Sequence, residues 1–80
     1  MALMHELSLM DDLVTQVTAE LAGHRVHVVR LELGTASCAS AEALQFCFQI
    51  CAKDTPLESA TLEIIRTEGD ALRVNHVEVS

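Results

Sequence analysis

The spacing of apolar residues changes period along this chain, and that change sets what the chain can fold into. In LSLMDDLVTQVTAEL, Leu7, Met10, Val14, Val17 and Leu21 recur every three or four residues, the stripe of an amphipathic helix. In VHVVRLEL the period drops to two, with Val29, Leu31 and Leu33 on one face and Arg30 and Glu32 on the other, as a half-buried strand requires. A second helical stripe follows, formed by Leu44, Cys47, Phe48 and Cys51 and widened by Phe46 and Ile50, and after it come two further strand-like runs.

Local signals give the boundaries. Ser8 and Asp11 resemble a capping box, so the first helix is expected from Ser8 to Leu21, with Gly23 as its C-cap. The first strand is expected from Val26 to Leu33. GTASCAS is turn-prone and ends in Ser40, a good N-cap for a second helix over Ala41 to Lys53, which must stop before Asp54-Thr55-Pro56. Leu62 and Ile64 alternate with Thr61, Glu63 and Ile65 as a second strand. Glu68-Gly69-Asp70 reads as a short hairpin turn into a third, Leu72 to Val79. In that third strand Leu72 and Val74 are out of phase with Val77 and Val79, and a bulge at Asn75-His76 would restore a common face. The expected fold is α+β: one domain over residues 1–80, with a small three-stranded mixed sheet and two helices packed on one face.

Charge and cysteine usage narrow the function classes. Twelve acidic residues against five basic ones leave a net charge of −7, the wrong sign for a nucleic-acid surface. No stretch has the length of a membrane span, and no basic segment leads into an apolar run with a cleavage site, so a cytoplasmic protein is expected. Three cysteines, Cys38, Cys47 and Cys51, are an odd number better suited to a reducing compartment than to a disulfide framework.

No catalytic constellation is visible, so an enzyme is the weaker class, and metal ligation is the remaining chemistry. Cys47 and Cys51 lie one turn apart but on the apolar stripe, where free thiols behave as small hydrophobes. Cys38 belongs to a loop. His24 and His27 flank the start of a strand and His76 falls at the expected bulge, all surface positions. His5 differs: it stands next to Glu6, ahead of the expected helix, near a terminus where backbone nitrogen is free to coordinate.

MHELSLMDDLV, RVHVVRLELG, SAEALQFCFQICAKDTPLESATLEI and GDALRVNHVEVS, in that order, resemble the segments of the HypA/HybF family of hydrogenase-maturation nickel metallochaperones, over nearly the whole chain. The resemblance implies a nickel domain of two helices on a three-stranded sheet and a site at Met4, His5 and Glu6. Ni(II) suits this set, because it favours planar or tetragonal nitrogen and oxygen donors. It further implies delivery of Ni(II) to a hydrogenase large subunit, with the nickel-insertion GTPase of the same pathway as a second partner.

Two departures from the family pattern stand out. Met4 is preceded by Met1-Ala2-Leu3, which displaces the terminal amine and leaves the His5 imidazole and Glu6. The family's zinc-binding domain, with paired Cys-x-x-Cys motifs between the last two strands, is replaced by Ile65 to Asp70, so no zinc site is expected. Two functions stay open on this basis: a nickel chaperone working through His5, and a metal-independent interaction or assembly module that binds a hydrogenase client.

Overall fold

A computed structural model describes residues 3–80. The chain runs α1 (Leu3–Glu20), β1 (Val26–Gly34), α2 (Ala41–Ala52), β2 (Thr61–Thr67) and β3 (Leu72–Val79). The three strands form one mixed sheet in the order β2-β1-β3, with β2 parallel to β1 and β3 antiparallel to it. This is the expected α+β architecture.

The sheet has two unlike faces because β1 alternates. Val29, Leu31 and Leu33 point into the core, where they meet Met10, Leu13, Val14 and Val17 of α1 and Leu44, Cys47 and Phe48 of α2, all buried. Arg30 and Glu32 point the other way and pair across strands, Arg30 with Glu63 at 3.0 Å and Glu32 with Arg73 at 2.8 Å. Cross-strand ion pairs this exposed add little stability, so the fold rests on the apolar layer beneath the helices. Leu57, in the turn after α2, is fully buried too, a core position that no periodic pattern marked.

The second helix begins as its sequence requires, with the Ser40 hydroxyl accepting from Ala43 N–H at 3.3 Å. It ends at Ala52, one residue short of Lys53. Phe46 and Ile50, expected to widen its buried face, are exposed. The helix is apolar nearly all round, and only the side carrying Leu44, Cys47 and Phe48 meets the core.

Two further expectations need correcting. The first helix starts at Leu3, not Ser8, so Met4, His5 and Glu6 lie inside its first two turns. Glu6 is the reason: it sits four residues before Met10 on the buried stripe, and an apolar-only pattern cannot see a carboxylate there. The helix closes as read, with Gly23 at a positive φ of 87° just beyond it.

The Glu68–Asp70 turn is likewise not a hairpin turn, since β2 and β3 are not neighbours. The chain leaves β2, passes over the end of β1 and comes down on its far side. Three successive amides collect the crossing segment's carbonyls: Gly34 N–H donates to Ala71 at 2.7 Å, Thr35 to Thr67 at 2.8 Å and Ala36 to Gly69 at 2.8 Å. The approach is so close that a Cβ on Gly34 would overlap the Gly69 carbonyl. The bulge is where it was expected: β1 pairs Arg30 with His76 and Leu31 with Val74, skipping Asn75. The skipped residue is held by its own side chain, which donates to Glu32 at 2.8 Å.

Candidate functional site

The first turns of α1 project their side chains in three directions. Met4 is 74% exposed and His5 is exposed, while Glu6 turns inward to 1%. A helix start leaves its first backbone N–H groups without intrahelical acceptors, so the amides around Met4 and His5 are not committed to the helix ladder. This end of the helix therefore offers solvent one imidazole, one thioether and backbone nitrogen within two consecutive residues.

Glu6 does a different job. Its Oε2 accepts the backbone N–H of Ser40 at 3.0 Å, tying the start of α1 to the residue that caps α2. That bond, with smaller help from its own N–H and neighbouring His5, holds the carboxyl below its usual range against the opposing effect of burial. The other oxygen, Oε1, is buried without a hydrogen-bond partner. Cys47 lies close enough to feel this charge: burial pushes its thiol up, and Glu6 adds to the rise. Cys51, half-buried, donates its S–H to the Leu7 carbonyl at 3.7 Å, and burial raises it as well, with Asp11 and Cys47 contributing. Both thiols favour the protonated form; Cys47 is in the core, as its place on the apolar stripe implied, and Cys51 packs at its margin.

The other histidines gather elsewhere. His24 Nδ1 contacts the Ser80 carbonyl at 3.2 Å, His27 Nε2 meets the Ser80 hydroxyl, and His76 Nε2 lies 3.0 Å from Glu78. Cys38 is exposed in the loop before α2. Among the described residues, no three His, Cys, Asp or Glu side chains are grouped to hold a metal ion. His5 takes part in none of these contacts. The feature that sequence reading missed is the Glu6–Ser40 link; its signal was the Glu6-to-Met10 spacing, which is helical and continues the buried stripe.

Comparison with known proteins bears on this arrangement. The family described as "Hydrogenase/urease nickel incorporation, metallochaperone, hypA" matches residues 4–78. The chain belongs to this family. Among curated HypA relatives, the hydrogenase maturation factor of Crocosphaera subtropica is 48% identical over 66 residues, and that of Nostoc punctiforme 42% over the same length. In both cases the match takes in 82% of this chain and 58% of the relative, so the chain spans well under two thirds of the HypA proteins it matches. The solution structure of the Ni metallochaperone HypA from Helicobacter pylori superposes with a TM-score of 0.66, covering 94% of this chain and 86% of that one. At 12% identity that likeness speaks for the fold. Among the described residues, no helix is long and apolar enough to cross a membrane.

Proposed function

We propose that this chain is a HypA-type nickel carrier acting in hydrogenase maturation in the cytoplasm, and that Ni(II) is its cargo rather than a resident cofactor. The observation that carries this reading is the solvent-facing first turn of α1, where His5 and Met4 project from amides free of the helix ladder while Glu6 fixes the turn to α2. Family membership and the names of the relatives support it. The His5 imidazole is the principal donor, backbone nitrogen beside it completes a chelate, and the exposed Met4 thioether next to it in sequence is a further donor. Glu6 belongs to the site as its anchor, because one carboxylate oxygen is engaged by Ser40 and the other is buried.

A loosely held ion at an exposed helix end is what a carrier needs, since a cargo ion must leave for its acceptor. A hydrogenase large-subunit precursor is that acceptor in this reading, with the pathway's GTPase as the partner that drives transfer. In this reading the chain is not an enzyme and carries no zinc, and the crossing segment between β2 and β3, hydrogen-bonded through its own backbone, supports the zinc-free part of it. Calorimetric titration of Ni(II) into the wild type and into His5→Ala tests the proposal, and equal affinities would refute it.

One observation favours the metal-independent alternative, an assembly module for the same client: no three-donor cluster is present among the described side chains. Recovery of the hydrogenase large subunit with His5→Ala, at unchanged nickel loading, would decide for that alternative.

A further inference from the structure

A groove of about 640 Å³ runs between α1 and β3, and none of the described residues covers it. Leu9, Leu13 and Val17 form its helix wall, and Leu72, Val74 and Val77 its strand wall. The bulge at Asn75 makes the strand wall continuous by bringing both halves of β3 onto one face. Val74 is 36% exposed and Val79 39%, although both lie on the sheet face that the helices otherwise bury. A cleft of this size falls in the range of about 300–1,000 Å³ usual for ligand sites.

The helix lip of the groove carries two carboxylates, Asp12 and Glu20. Asp12, Gln16 and Glu20 follow one another at four-residue spacing along α1, which places them on a single ridge above the apolar wall. Among the described residues the one cation at the groove, Arg73, is engaged by Glu32 at 2.8 Å. An occupant must therefore offer apolar side chains to the floor and positive charge to the α1 ridge.

We propose that the α1–β3 groove is a docking site for an amphipathic helix of another protein, one whose apolar stripe is flanked by lysine or arginine. The helix form follows from the strand. An extended peptide would add to the free edge of β3, but the Asn75 bulge breaks the regular row of edge groups that such pairing needs. A helix laid in the groove needs no ladder and reads apolar anchors at helical spacing. A second copy of this chain is disfavoured, because a net charge of −7 would set two acidic ridges against each other. The site includes none of the proposed nickel donors, so it stands or falls apart from nickel binding.

The test is an amide-resolved NMR titration of the full chain with three synthetic peptides: a leucine–lysine amphipathic helix, its leucine–glutamate counterpart, and a leucine–lysine scramble without an apolar stripe. The leucine–lysine helix should shift Leu13, Val17, Val74 and Val77, and the other two should not. Val74→Glu should weaken binding by about tenfold or more. The double variant Asp12→Lys/Glu20→Lys should reverse the preference toward the glutamate peptide. All three positions are exposed, so these variants keep the fold, and His5→Ala should leave peptide binding unchanged. Shifts confined to Phe46 and Ile50 on α2, equal binding of the scramble, or indifference to both variants would overturn the proposal. So would sedimentation showing a dimer that Val74→Glu dissociates.

Discussion

His5 and Glu6 are adjacent in sequence and opposite in role, because a helix turns successive side chains about 100° apart and so sends one to solvent and the other to the core. His5→Ala should lower Ni(II) affinity at least tenfold or so, given that losing even an outer-shell partner costs about that much. Alanine at His24, His27 or His76 should leave it unchanged, since each of those rings contacts a neighbour at the far end of the sheet or on β3. Glu6 separates anchoring from ligation. Glu6→Gln keeps an oxygen for the Ser40 N–H and should retain most of the nickel affinity, whereas Glu6→Ala should lower the melting temperature and speed amide exchange at Ser40. If Glu6→Gln abolished nickel binding as fully as His5→Ala, the carboxylate would be a ligand and the anchor reading would fail.

Two junctions decide how the elements fit. Gly34 is where the chain from β2 to β3 rides over β1, and Gly34→Ala puts a methyl into the Gly69 backbone, which cannot swing aside as a side chain would. A loss of about 3 kcal/mol or more in denaturant unfolding is expected. At the bulge, Glu32 accepts from Arg73 and Asn75, and these two bonds, Arg73 first, hold its carboxyl below the ordinary range. A depressed carboxylate stabilises the folded state at pH values above its unfolded pKa, and that contribution is lost as pH falls through the lower folded value. The melting temperature of the wild type should therefore drop more steeply than that of Glu32→Gln between pH ~5 and ~3. Much of this level was legible beforehand: β1, the Ser40 cap and the Asn75 bulge all follow from spacing and residue type. The pairing was not. A Glu-Gly-Asp turn looks the same whether it joins neighbouring strands or steps over a third. The start of α1 was hidden for a related reason, in that Glu6 acts as a core residue only because Ser40, remote in sequence, supplies its hydrogen bond. The groove was invisible too, since it depends on how far α1 stands from β3.

On the scale of the whole molecule, one apolar layer between two helices and a three-stranded sheet carries the fold, with β1 at its centre. Treatment with a strong chelator should leave the melting temperature within a degree or two, because a domain that folds only with metal would instead lose most of its stability. A large drop would mean that a bound metal supports the fold. The crossing of β2 to β3 above Gly34 also bears on the order of events during folding. β1 and β2 can pair once α2 has formed between them, but β3 and the residue after it must wait for partners far back in the chain, at sequence separations of 41 for Glu32 and Arg73 and 53 for His27 and Ser80. Such distant closures are slow and come late. Contacts made after the folding barrier are felt mainly in the rate of unfolding. Loosening the Glu32 clamp should thus shorten the lifetime of the native state while leaving the speed of folding nearly unchanged, so that the β3 side of the sheet, groove included, is the part of the molecule that opens first.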